Sequence, residues 1–183
     1  MKKFFTILIF FIFSASIFAK WEVEIDSLDT SSDFYIFNNI SSDKESVIAI
    51  AVDIQLVDDF SAAYNNDLIA AVFIYSDKIE LDNNYYLKIK RNSGSSINYN
   101  ISENNIAEIS DSKNAICIGG DDKLVRGAGR TVNNLIKILS DSSQCDLYYR
   151  DSDELLAGFN LKGLKEIMKE NIGDTEWYKR LYE

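Results

Sequence analysis

Val47-Ile-Ala-Ile-Ala-Val-Asp-Ile54 and Leu68-Ile-Ala-Ala-Val-Phe-Ile-Tyr75 decide the fold of this chain. Each is a short, nearly continuous apolar run, rich in β-branched residues and followed by polar sequence. Runs of this length and composition suit strands at the centre of a sheet, where both faces are covered and no polar alternation is needed.

Weaker strand signals surround them. Trp21, Val23 and Ile25 alternate with Glu22, Glu24 and Asp26, the period-two pattern of a half-buried strand. Phe34, Ile36 and Ile40 repeat it less regularly. Tyr85, Leu87 and Ile89 alternate with Tyr86, Lys88 and Lys90, and Ile97, Tyr99 and Ile101 answer them across the turn residues Asn92, Ser93 and Gly94, which predicts a hairpin over residues 85–102. Short strands are expected at Ile106–Ile109 and Ala115–Ile118, and a second hairpin joins Leu147–Arg150 to Glu154–Phe159. Residues 58–66 read as a loop with room for a helical turn at Phe60–Tyr64.

Two stretches have helical spacing. Val132, Leu135, Ile136 and Leu139 predict a helix that Thr131 would cap. Leu161, Leu164, Ile167 and Met168 predict a last short helix ended by Gly173. Residues 174–183 then form a charged tail carrying Trp177, Tyr178 and Tyr182, to pack back as a short helix or stay mobile. Many short strands with two short helices near the C-terminus predict a mainly β fold, an antiparallel β-sandwich or curved sheet.

At the N-terminus, Lys2 and Lys3 precede an apolar run from Phe4 to Phe13, and Ser14, Ala15, Ser16 and Ala19 supply small residues. This is the three-part pattern of a secretory signal peptide, with cleavage expected after Ala19. The expected division is a signal peptide at 1–19, one β-rich domain at 20–173 and the tail at 174–183. The expected location is periplasmic or secreted, with no membrane span after cleavage, since a span needs ~20 apolar residues.

Composition narrows the chemistry. The chain of 183 residues has 29 Asp and Glu against 19 Lys and Arg, a net charge of −10, which disfavours nucleic acid and anionic lipid as partners. It contains no histidine, which removes Ser-His and Cys-His nucleophilic sites, histidine-based zinc sites and histidine acid–base chemistry. Cys117 and Cys145 are not spaced as a redox pair or metal clip. An oxidising compartment favours a disulfide between them, which would contribute roughly 3–4 kcal/mol by constraining the unfolded chain. Two buried thiols are the alternative.

Other motifs read as ordinary structure. Gly119-Gly120-Asp121-Asp122 lacks both the Lys-Ser/Thr end of a phosphate loop and the alternate carboxylates of a calcium loop. Gly127-Ala128-Gly129-Arg130 lacks the strand and spacing of a dinucleotide fingerprint. Asp151, Asp153 and Glu154 fit a hairpin tip better than a cation site. No catalytic residue, cofactor or metal ligand is assigned. Strand neighbours point to opposite faces, so in each of Tyr85-Tyr86 and Tyr148-Tyr149 one ring should face the core and one the surface. Tyr86, Tyr149 and Trp177 are the candidates for an exposed partner patch; ordinary strand packing is the plainer reading of the tyrosines.

The segment Ala157-Gly158-Phe159-Asn160-Leu161-Lys162-Gly163-Leu164, leading into a last short helix, resembles the ending of VasI-type proteins associated with type VI secretion and of invasion-associated locus B-like periplasmic proteins. Trp21-Glu22-Val23 is similar to their Trp-x-Val opening. The resemblance covers about a quarter of the chain, and cysteines those families often carry at the first strand and last helix are absent here. It implies a mainly β-sandwich fold with a C-terminal helix and an envelope location. It also implies structural roles: Phe159 and Leu161 for packing, Gly163 for a tight helix entry. The expected function is non-enzymatic, binding or scaffolding another envelope component such as an envelope protein. A carboxylate-dependent hydrolase acting on envelope glycans, and a surface antigen with no specific ligand, are the alternatives.

Overall fold

In a computed structural model of the chain, the described residues are 20–28, 32–55, 57, 70–110, 113–119 and 128–182. The signal-peptide reading, the 58–66 loop and most of the Gly119–Gly129 stretch lie outside them.

Among the described residues, ten strands form two antiparallel sheets. The six-stranded sheet has the order β1 (Glu22–Leu28), β2 (Ser32–Ile40), β3 (Ser46–Asp53), β4 (Ala70–Ser76), β8 (Lys113–Ile118), β7 (Ile106–Ser110). The four-stranded sheet has the order β10 (Leu155–Asn160), β9 (Ser142–Tyr149), β5 (Tyr85–Arg91), β6 (Ser96–Asn100). Three helices complete the described chain: α1 (Ala128–Ser140), α2 (Leu164–Ile172) and α3 (Glu176–Tyr182). The architecture is the mainly β one expected.

The two apolar runs became β3 and β4, hydrogen-bonded neighbours in the middle of the larger sheet. All eight positions of β3 are buried. Ile48, Ile50 and Val52 face the main core, while Ala49 and Ala51 join Ile36, Ala71 and Phe73 in a second apolar cluster on the opposite face. Two covered faces explain why these strands show no polar alternation.

The main core lies between the sheets. Phe37, Ile74 and Ile116 from one sheet meet Tyr85, Leu87, Ile89 and Leu147 from the other, and Val132, Leu135, Ile136 and Leu139 bring α1 against both. Helix α1 starts at Ala128, so Thr131 lies inside its first turn rather than capping it. Gly163 enters α2 with φ +90°, a left-handed conformation that disfavours side chains bearing a Cβ, and Phe159 and Leu161 are each 1% exposed. Gly173 ends α2 with helical φ −62°, its N–H donating to the Lys169 carbonyl at 3.0 Å.

Of the two outcomes expected for the C-terminal segment, the structure shows the first, a short helix packed back on the domain. Trp177, Tyr178 and Leu181 of α3 are buried in the main core, and the Trp177 backbone N–H donates to the Val57 carbonyl at 3.0 Å.

Cys117 and Cys145 do not form a disulfide. Ile116 and Ile118 point into the main core, so Cys117 between them points to the opposite face of the six-stranded sheet, with Phe73 and Ala71. Cys145 is fully buried on the inner face of the other sheet. The six-stranded sheet therefore stands between the two sulfurs. The Cys117 thiol donates to the Gly119 carbonyl at 2.8 Å.

Candidate binding face

The four-stranded sheet has one buried and one open face, and the parity of β5 and β9 assigns each side chain to one of them. Tyr85, Leu87 and Ile89 on β5 and Cys145 and Leu147 on β9 are fully buried. Their neighbours Tyr86, Lys88 and Lys90, and Gln144, Asp146 and Tyr148, stand on the open face.

Register arranges this face in rows. Tyr86 is paired with Asn100 on one side and Tyr148 on the other, and Tyr148 with Leu155. Lys88 lies between Asn98 and Asp146, with Gly158 beyond. Lys90 lies between Ser96 and Gln144, with Asn160 beyond. The Tyr86 and Tyr148 rings are near-parallel, with centroids 5.2 Å apart and planes 10° apart. The Tyr86 hydroxyl donates to Asp153 Oδ1 at 2.9 Å, and the Lys88 ammonium lies 6.0 Å from the Tyr148 centroid. Gln144 Nε2 donates to both oxygens of Asp146, at 2.9 and 3.0 Å. Burial and the Asp153 carboxylate raise the Tyr86 phenol above its ordinary value, so it remains a neutral donor. Leu155 is 54% exposed at the border of the face. The side chains here offer aromatic surface, amides, a carboxylate and ammonium groups: groups that stack and hydrogen-bond.

Of the three patch residues expected from sequence, only Tyr86 stands here. Tyr149 turns inward, its ring centroid 5.3 Å from that of Tyr85, and its hydroxyl donates to the Lys78 carbonyl at 2.9 Å. Tyr85 is buried against the same turn, donating to the Glu80 carbonyl at 3.0 Å and accepting from the Glu80 N–H at 2.7 Å. Burial pushes the Tyr85 phenol up to about 12. This inner pair pins the chain between β4 and β5. Trp177 is 3% exposed, and its indole N–H donates to Asn133 Oδ1 at 3.2 Å. Tyr148 is the partner that sequence reasoning missed. The signal was present, because Leu147 has core character and Tyr149 shares its parity.

Asp153 holds φ +53° at the hairpin tip and accepts from Tyr86. Glu24 is raised by burial and by Glu22 and Asp26 on its own strand, while Asn38 opposes the shift. Burial raises Asp43, but hydrogen bonds from Ser41, the Glu45 amide and Lys78 outweigh it and hold the carboxyl below its usual value. Among the described residues, no three His, Cys, Asp or Glu side chains are placed to hold a metal ion, and no helix is long and apolar enough to cross a membrane.

The chain matches no family model, no curated protein and no solved structure.

Proposed function

We propose that this protein is a non-enzymatic binding protein of the bacterial envelope, and that it holds another envelope protein against the open face of its four-stranded sheet. The observation that carries the reading is the Tyr86–Tyr148 pair standing outward in a field of amides and balanced charges. Tyrosines supply large contact area with few rotatable bonds, and a hydroxyl that recognises polar groups. The sequence pattern of residues 1–19 and the similarity of the Ala157–Leu164 segment to envelope proteins support the location.

The test is crosslinking in the native envelope with tagged protein, comparing wild type with Tyr86→Ala/Tyr148→Ala, and identifying captured species by mass spectrometry. A protein recovered in near-stoichiometric amount from wild type and lost from the double variant is the expected result. Equal capture by a folded double variant would remove the face from the interaction, and capture of nothing by either would remove the adaptor role.

A further inference from the structure

We infer that two copies of this chain associate through strand β6, pairing antiparallel about a two-fold axis at Asn98. The two sheets have four edge strands among the described residues, β1, β7, β10 and β6. β1 carries Glu22, Glu24 and Asp26, so two copies meeting there would bring carboxylates together. β7 carries Glu108, and its register shifts between Glu108 and Ser110. At β10, the Ser42 N–H from the β2–β3 turn donates to the Gly158 carbonyl at 3.0 Å and covers the edge. Charge, irregularity and cover are the devices that protect a strand edge. Among the described residues, β6 has none of them. Its sequence, Ser-Ile-Asn-Tyr-Asn, contains no charge and no proline, it lies opposite β5 in unbroken register, and no described strand pairs with its other side.

The backbone shows which groups that edge offers. The Ile101 N–H donates to the Tyr85 carbonyl and the Arg91 N–H to the Ser95 carbonyl. Those bonds fix the odd-numbered residues of β6 as the ones bonded to β5. Ser96, Asn98 and Asn100 therefore direct their N–H and C=O groups away from the sheet.

β6 complements itself. Turned about Asn98, the strand places Ser96 opposite Asn100 of the second copy and Asn98 opposite its own counterpart. These are hydrogen-bonded pairs, which give about six new backbone bonds. On the inner face Ile97 meets Tyr99 of the second copy. Both side chains are half-buried against the rim of the main core in one copy, and a β-branched residue opposite an aromatic one is a favourable cross-strand pair. No like charges are opposed along the strand, which matters for a chain of net charge −10. The result is one continuous eight-stranded sheet. On its open face the row Tyr148–Tyr86–Asn100 runs on into Ser96 and Lys90 of the second copy.

A five-residue contact is small. A contact of this length belongs with the weak associations below the ~1,000 Å² typical of a stable interface, and a dissociation constant on the order of 100 µM is the scale set for the test. The inference does not depend on the binding reading, because its test involves no other protein.

The test is sedimentation velocity on the purified protein, as its host processes it, over a loading range from about 10 µM to about 1 mM, which brackets that constant. Wild type should move from monomer to dimer across this range. Asn98→Asp should weaken the dimer at least about tenfold, because it sets two carboxylates opposite each other at the axis, roughly 5.5 Å apart between Cα atoms. Within one copy the new carboxylate faces Lys88, so the fold is retained. A wild type that stays monomeric throughout, a dimer that Asn98→Asp leaves unchanged, or growth beyond a dimer, which a two-fold contact closes against, would each overturn the inference.

Discussion

Trp177→Ala measures whether residues 174–183 belong to the domain. The sequence there is charged and short, yet the Trp177 side chain is 3% exposed among Tyr178, Leu181 and the residues of α1. Truncating a fully buried Trp to Ala costs about 3–5 kcal/mol, the sum of lost transfer energy and the cavity left behind. The indole N–H bond to Asn133 Oδ1 at 3.2 Å is lost as well, but Asn133 is only half-buried, so water can satisfy its oxygen. Trp177→Phe separates the two contributions. It keeps most of the apolar body and removes the hydrogen bond, so it should cost about 1–2 kcal/mol. A domain of this size has roughly 5–15 kcal/mol in total, so the alanine variant should be visibly compromised while still folded. Urea unfolding followed by the fluorescence of the remaining Trp21, itself 3% exposed, gives both values from midpoint shifts at constant slope. A loss below about 1 kcal/mol for Trp177→Ala would refute the reasoning and return α3 to the status of an unattached tail.

Further outcomes follow from particular contacts. Gly119 and Gly163 have φ of +88° and +90°, but a Cβ on Gly119 would lie 2.9 Å from the Ala70 carbonyl oxygen, whereas one on Gly163 meets nothing within 4 Å. Gly163→Ala should therefore cost only the conformational strain of about 1–2 kcal/mol, and Gly119→Ala clearly more, as read by thermal or urea unfolding. Burial raises the Cys145 thiol, so a maleimide should leave it unlabelled in the native protein. Denatured, unreduced protein should then label at both Cys117 and Cys145 by mass, and reductant should leave the melting temperature unchanged. The Tyr85 phenol is held at about 12 in the folded state against an ordinary value near 10. The folded state keeps that proton to higher pH, so this contribution is complete below about pH 10 and is lost as pH rises toward 12, on the order of 2 kcal/mol. Tyr85→Phe should lessen the fall in stability over that window.

The fold was legible because burial leaves a mark on sequence. β3 and β4 are covered on both faces and read as unbroken apolar runs; β5 and β6 are covered on one face and alternate. What could not be read was which sheet each strand joins. An oxidising compartment would favour a Cys117–Cys145 bridge, but pairing depends on geometry. Ile116, Cys117 and Ile118 already carried part of the answer, since two β-branched residues of one parity claim the core and send the cysteine between them to the other face. The Tyr148-Tyr149 assignment failed for want of the same step from Leu147. Helix α3 was harder to see. Trp177, Tyr178 and Leu181 are separated by charged residues that are free to stay at the surface, and a segment of seven residues is too short for periodicity to declare itself. Thr131 was misplaced because a capping preference is weak beside the packing of Val132 and Leu135, and the helix simply continues one turn further back.

Charge links the proposed face to the β6 edge. The chain carries 29 acidic and 19 basic residues, so most of its surface repels another copy or an acidic neighbour. The open face of the four-stranded sheet departs from that average. Lys88 and Lys90 offset Asp146 and Asp153, and both carboxylates are engaged, by Gln144 and Tyr86 respectively. The edge beside it, β6, has no charge at all. An acidic chain that associates anywhere does so at least cost where its own field is weakest, and here that region also holds the outward tyrosine pair and an unguarded strand. Contact there should depend little on salt, because few ion pairs are made or broken, whereas contact through β1 would strengthen markedly as salt screened Glu22, Glu24 and Asp26.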